Sequence, residues 1–289
     1  MAISAAMVKE LRERTGLGMM DCKRALTEAD GDMEKAIEEL RKKSALKAAK
    51  KAGRTTANGL LGIHVAADGT RGAIVEVNIE TDFAAKNEKF IAFVSKVTEK
   101  LFESADGDLA ALAAGDLNAE RETLVQEIGE NITIRRGEVV ASAAGGIGEY
   151  LHGDQRRGAL VNLAEANAEL GRDIAMHVVA INPMVVRSED VAPDVLAKER
   201  EIFTSQAAES GKPEDIVVKM VEGRVKKFLA EVSLLDQPFV KDGDIKVSKL
   251  VANAGTEVLS FVRYEVGEGI EVEETDFAAE VAAQVAGND

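Results

Sequence analysis

The chain has 289 residues, 46% of them apolar and 30% charged, a composition that fits two or three folded globular domains and excludes a disordered or collagen-like chain. The net charge of −15 is uneven: residues 1–54 hold 13 basic and 9 acidic side chains, net +4, and the remainder holds 23 and 42, net −19, which speaks against a body that tracks nucleic-acid phosphates. A single cysteine, Cys22, excludes an internal disulfide framework and fits a reducing cytoplasm; no stretch approaches the roughly 18 apolar residues of a membrane helix, and the acids among the bases of Met1 to Gly16 are unlike a secretory signal.

Residues 1–54 read as three short helices and a basic tail. Ser4 is placed to cap the first, with Met7, Val8 and Leu11 inward. "TGLG" at Thr15 to Gly18 breaks it. The second runs near Met19 to Ala29, with Cys22, Ala25, Leu26 and Ala29 at helical spacing. Asp32 caps the third, where Met33, Ala36, Ile37 and Leu40 recur at i, i+3, i+4 and i+7. "RKKSALKAAKKAGR", ending at Arg54, is strongly basic and reads as a linker or an exposed helical tail. The basic head suits an acidic protein partner or is simply a solvated surface.

From Gly59 the period changes from helix to strand. "GLLGIHVAADGTRGAIVEVNIETDF" predicts two strands around a turn at Asp68-Gly69. A helix over Glu88 to Phe102 follows, with Phe90, Phe93, Val94, Val97 and Leu101 as its stripe. Two more helices are expected near 106–113 and 118–128, then a strand over Ile132 to Arg136. After "AAGGIG" the order of elements recurs. "RGALVNL" at Arg157 aligns with "RGAIVEV" at Arg71, and Ile174, Val178 and Ile181 form a second stripe. A duplicated α+β unit with antiparallel sheets is the expected fold class. Pro193 to Val232 interrupts the second unit as an antiparallel helical hairpin joined by "SGKP" at Ser210 to Pro213, with both prolines suited to first-turn positions. A short helix near Val247 to Ala252, a strand over Glu257 to Gly267 and a last helix complete the chain. The expected units are 1–54, 55–140, 141–274 with the hairpin at about 190–232, and a C-terminal helical module, 275–289.

No enzyme motif stands out. There is no phosphate loop, no His-Glu-x-x-His, no zinc knuckle and no nucleophile elbow. His64 and His177 read as packed structural residues, while His152, beside a turn, is either a surface polar residue or a contact. An adaptor whose head binds another protein and an unrecognised hydrolase or transferase are two readings to weigh; only the possible clefts of an α+β body speak for the latter.

The pentapeptide TDFAA occurs twice. At Thr275 it opens a helix, because Phe277, Val281 and Val285 share one face and Thr275 or Asp276 can cap it. At Thr81 the i+3 and i+4 neighbours of Phe83 are Lys86 and Asn87. The reading here is a connection over Thr81 to Asn87, with Phe83 on a loop. An aromatic without a local partner is a contact candidate; the alternative is that it folds back onto the core.

"VKELRERTGLGMMDCKRAL", "EVNIETDFAAKNEKF", "IGENITIRR", "DIAMHV", "VEGRVKKFLAEVSLLDQPFV" and "EVGEGIEVEETDFAAEVAA" together resemble the bacterial elongation factor Ts family, in order and along the whole chain. The resemblance implies a cytoplasmic guanine-nucleotide exchange factor for elongation factor Tu, without covalent chemistry, cofactor or metal of its own and without direct nucleic-acid or membrane binding. It implies a ubiquitin-associated-like three-helix head, a duplicated core, a hairpin that serves as a dimerisation or coiled-coil module, in a homodimer or 2:2 complex, and a C-terminal helix that touches the GTPase. It further implies that Thr81, Asp82, Phe83 and Ala84 act at the GTPase's Mg²⁺ site, with Asp82 and Phe83 dislodging the ion. Leu11, Met19, Met20, Ile128, Gly129 and His152 are implied as further partner contacts. The family usually carries Val where this chain has Ala84.

Overall fold

The computed structural model describes residues 3–209 and 213–271. In the head, α1 (Ala5–Thr15) starts at Ser4, whose hydroxyl accepts the Met7 N–H at 3.3 Å, and ends at Gly16, whose φ of 71° closes the helix in the left-handed region that glycine favours. Helices α2 (Met19–Glu28) and α3 (Met33–Lys51) follow, the latter capped by Asp32. Val8, Leu11, Leu17, Cys22, Leu26 and Leu40 form their shared core.

The basic run after Leu40 is neither a linker nor an exposed tail. It prolongs α3 as one helix to Lys51, with Ser44 and Ala48 buried. Leu40, Ser44 and Ala48 recur at i, i+4 and i+8, so one face stays inward while the lysines point out. The small side chains let α3 lie against α7, where Ser44 Oγ donates to Gln126 Oε1 at 2.6 Å.

The body begins with β1 (Asn58–Val65) and β2 (Arg71–Ile79), then α4 (Asp82–Ala85), α5 (Glu88–Glu103), α6 (Leu109–Ala114), α7 (Asp116–Ile128) and β3 (Ile132–Ala141). The strands form an antiparallel sheet in the order β1-β2-β3. The second unit repeats the scheme with β4 (Ile147–Leu151), β5 (Arg157–Leu163) and α8 (Ala168–Ile181). The hairpin α9 (Pro193–Ala208) and α10 (Glu214–Val232) comes next, then β6 (Pro238–Phe239), β7 (Asp242–Lys246), α11 (Val247–Asn253) and β8 (Val258–Glu265). The second sheet runs β4-β5-β8, again antiparallel.

Strand alternation builds four layers. Ala73, Val75, Val77 and Ile79 of β2 face the Phe90 to Leu101 stripe of α5. Ala159, Val161 and Leu163 of β5 face Ile174 and Val178 of α8. The opposite faces, carrying Ile74 and Leu160, meet between the sheets with Ile63, Ile147, Val262 and Tyr264. The order is therefore helix, sheet, sheet, helix. The duplication extends to contacts: Gly62 lies against Thr98 of α5, and Gly148, the position aligned with it, lies against Gly171 of α8.

Glu76 is fully buried on β2. Arg135 Nη1 and Arg136 Nε donate to its two carboxylate oxygens at 2.9 and 2.6 Å, and the Gly267 N–H donates at 2.8 Å. One carboxylate thus ties β2 to β3 and to the turn after β8. Burial alone would raise its pKa, but Gly267, Arg135, Asn78 and Arg136 outweigh it and hold the carboxyl below its ordinary value.

The hairpin has a small core of its own, with Phe203, Val221 and Val225 among its members. Its backbone joins the second unit at its base, where the Met184 N–H donates to Val232 O.

Several expectations shift. Ile181 leaves the α8 stripe and is exposed at the helix end, where Asn182 turns left-handed. Pro193 opens α9, but Pro213 sits one position ahead of α10 as its N-cap. β3 continues past Arg136 to Ala141 because it pairs along the whole of β2. His64 is exposed, its ring 4.2 Å from that of Phe102. The second TDFAA copy and the module 275–289 lie outside the described residues.

Candidate functional site

The first TDFAA copy is a single helical turn rather than an irregular loop. β2 ends at Ile79, and Thr81 takes extended backbone angles as the N-cap of α4, its hydroxyl accepting the Ala84 N–H at 3.2 Å. Asn87 is again extended and caps α5, accepting the Lys89 N–H at 2.9 Å. Two caps so close together stop the turn from running into α5. Ala84 and Ala85 face the α5–β2 core. Phe83 points the other way and is 84% exposed. Asp82 pairs with Lys86 at 3.2 Å on the same open side; so exposed a pair contributes little to stability.

Two segments adjoin this turn, and the head lies beside the first of them. The first is the loop after α7. Its Glu130 carboxylate accepts the Thr81 N–H at 2.9 Å and the Thr81 hydroxyl at 2.8 Å, and Glu80 accepts the Asn131 N–H at 2.6 Å. Gly129 caps α7 with φ 87° and is exposed; Ile128 is half-buried. The second segment is the β4–β5 turn. His152 is half-buried there, its Nδ1 3.2 Å from the Tyr150 hydroxyl. The Leu61 N–H of β1 donates to Gln155 O at 2.8 Å, which fixes this turn against the first sheet. A cleft of about 430 Å³ separates it from α4, with Leu60 and Ile91 among its apolar lining and Asp82, Lys86, Asp154 and Arg156 among its charged lining.

The head lies beside that first segment. Its loop at Gly16 faces the end of α7, where a Cβ on Gly16 would lie 4.0 Å from Glu127 Oε2. Met19 and Met20, just beyond that loop, are 58% and 74% exposed. Helix α2 turns both outward and buries Cys22, Ala25 and Leu26. Leu11 is fully buried in the head. Its side chain offers no surface to a partner, because α1 aims it at α2 and α3.

Elsewhere His177 is fully buried, with Nε2 2.9 Å from Gln237 Oε1 and Nδ1 accepting the Val240 N–H at 3.1 Å. The second bond leaves the ring proton on Nε2. Burial lowers its pKa, and the Gln237 bond only partly opposes this. No group of His, Cys, Asp and Glu among the described residues is arranged to hold a metal ion. No helix among them is long and apolar enough to cross a membrane.

A family model described as Elongation factor TS matches residues 80–268. The chain is 58% identical over 286 residues to elongation factor Ts of Hahella chejuensis, covering 99% of each. It is 56% identical over 286 residues to that of Saccharophagus degradans, again 99% of each. With that of Teredinibacter turnerae it shares 54% identity over 287 residues, 99% of this chain and 98% of the relative. These matches, spanning head, both sheets and hairpin, define a translation elongation factor. The chain belongs to the elongation factor Ts family, and membership makes it a nucleotide exchange factor for elongation factor Tu in protein biosynthesis.

Proposed function

We propose that the chain speeds GDP release from elongation factor Tu by seating Phe83 in the GTPase beside its Mg²⁺ site, with Asp82 competing for the groups that orient the ion. The supporting observation is Phe83 itself, an aromatic 84% exposed at the tip of a turn whose neighbours Ala84 and Ala85 are buried. A partner that buries such a ring gains roughly 1.5–3 kcal/mol. If the ring seats best in the nucleotide-free GTPase, linkage requires nucleotide and exchange factor to weaken each other by one factor. No covalent step is involved, and the chain needs no cofactor.

Around the wedge, Met19 and Met20, Ile128 and Gly129, and His152 act as flanking contacts. Thr81 and Ala84 hold the turn. Leu11 supports the head from within. In this reading residues 1–54 are a docking head, 55–140 and 141–274 the duplicated core, and 275–289 a further contact module. The exposed Ile202, Ile216 and Val218 on the hairpin suit a homodimer or 2:2 complex, and the protein works in the cytoplasm.

The test is release of labelled GDP from elongation factor Tu. Phe83→Ala is expected to slow release roughly 10- to 150-fold, the equivalent of the burial above, with little change in thermal stability. A variant that releases GDP at the wild-type rate sinks the wedge.

A further inference from the structure

We infer that Glu130 is a positioning residue for Phe83, setting the wedge by gripping the cap of its turn. The inference rests on the wedge reading above. The Phe83 ring projects from the body, so the backbone of α4 sets where it stands. Four residues are too few to hold a helical turn on their own, since nucleation is unfavourable without outside support. Ala84 and Ala85 anchor the turn's inner side. Its start depends on Thr81.

Thr81 does two things at once. Its hydroxyl accepts the Ala84 N–H and donates to Glu130 Oε1, while its own N–H donates to Glu130 Oε2. Donation to a carboxylate polarises the hydroxyl and makes it a better acceptor for Ala84. The β2 ladder pairs no further than Ile79 with Ile132, so the strand partner no longer serves the Thr81 N–H. Glu130 supplies both links from a loop 49 residues away. That loop is the one carrying Ile128 and Gly129. The same carboxylate therefore sets the wedge and the neighbouring loop in one register.

The experiment uses the full-length chain and a double-mutant cycle in GDP release from elongation factor Tu. Glu130→Ala is expected to slow release about tenfold, equal to 1.4 kcal/mol. Added to Phe83→Ala it should slow release no further than about twofold, because a positioner has nothing left to position. In hydrogen exchange of the free protein, the Thr81 and Ala84 amides should lose protection in Glu130→Ala while the β2 amides keep theirs. Glu130→Gln, which keeps the side chain's shape, serves the same cycle if the alanine variant folds poorly.

Unchanged release, unchanged protection at Thr81 and Ala84, or an equal slowing in both Phe83 backgrounds would overturn the inference; the last would mark Glu130 as an independent contact. Wild-type release by Phe83→Ala alone would remove the wedge reading and this inference with it. Slow release by Phe83→Ala beside fast release by Glu130→Ala would remove only this inference.

Discussion

Replacing Glu76 with alanine takes away the one acidic side chain that is fully buried among the described residues. Arg135, Arg136 and the Gly267 N–H then lose their common acceptor. Breaking a buried ion pair by removing one partner costs about 3–5 kcal/mol. The two arginines retain 24% and 30% side-chain exposure, so both can turn toward water, and the low end, about 3 kcal/mol, is expected. For a chain of this size each kcal/mol moves Tm by about 2–4 °C, so the melting point should fall by about 6–12 °C. Circular dichroism melts and urea titrations at neutral pH measure it. The pH dependence checks the cause. Because folding depresses the Glu76 pKa, its contribution is fully present above the ordinary carboxylate value of 4.5 and is lost as pH falls through the folded value. Wild type and variant should therefore converge in acid. A loss below about 1 kcal/mol, or a gap that stays constant into strong acid, would refute the assignment of Glu76 as a charged tie between the sheets.

Two further outcomes follow from the packing. His177 is held neutral by burial, with a folded pKa below the usual 6.5; its contribution is complete above 6.5 and declines as pH drops from there toward the folded value. His177→Gln should flatten that part of the pH–stability curve in urea titrations, and a curve of unchanged shape would count against the buried neutral ring. A Cβ on Gly148 would stand 2.2 Å from the Gly171 carbonyl carbon. Gly148→Ala should therefore cost about 3 kcal/mol, near the upper range for overpacking, since backbone rather than a movable side chain blocks it; a melting point within a degree or two of wild type would refute the close approach.

The elements with strong period or clear caps were legible in the residues. Ser4 and Asp32 cap where their side chains predict, the α5 stripe is buried as spaced, and the two RGA strands sit at the centres of matching sheets. The outward Phe83 was legible as well, because Lys86 and Asn87 offered it no apolar neighbour. Its helical turn was not, since four residues show no period. Ser44 and Ala48 were missed inside a basic run, where small side chains gave no sign of a buried face. The Glu130–Thr81 link joins residues 49 apart and leaves no local trace. Glu76 looked like any strand acid until the two sheets closed over it.

Helix α3 has Leu40 in the head's core and Ala48 in the body's. A rod embedded at both ends carries torque. A load applied to the methionines of α2 is borne along that shaft into α7, and so to the loop that grips the aromatic turn. Inserting a flexible glycine–serine stretch midway along the shaft would let the small lobe swivel, and under the proposed wedge the head and the aromatic turn would then meet the GTPase one after the other instead of together.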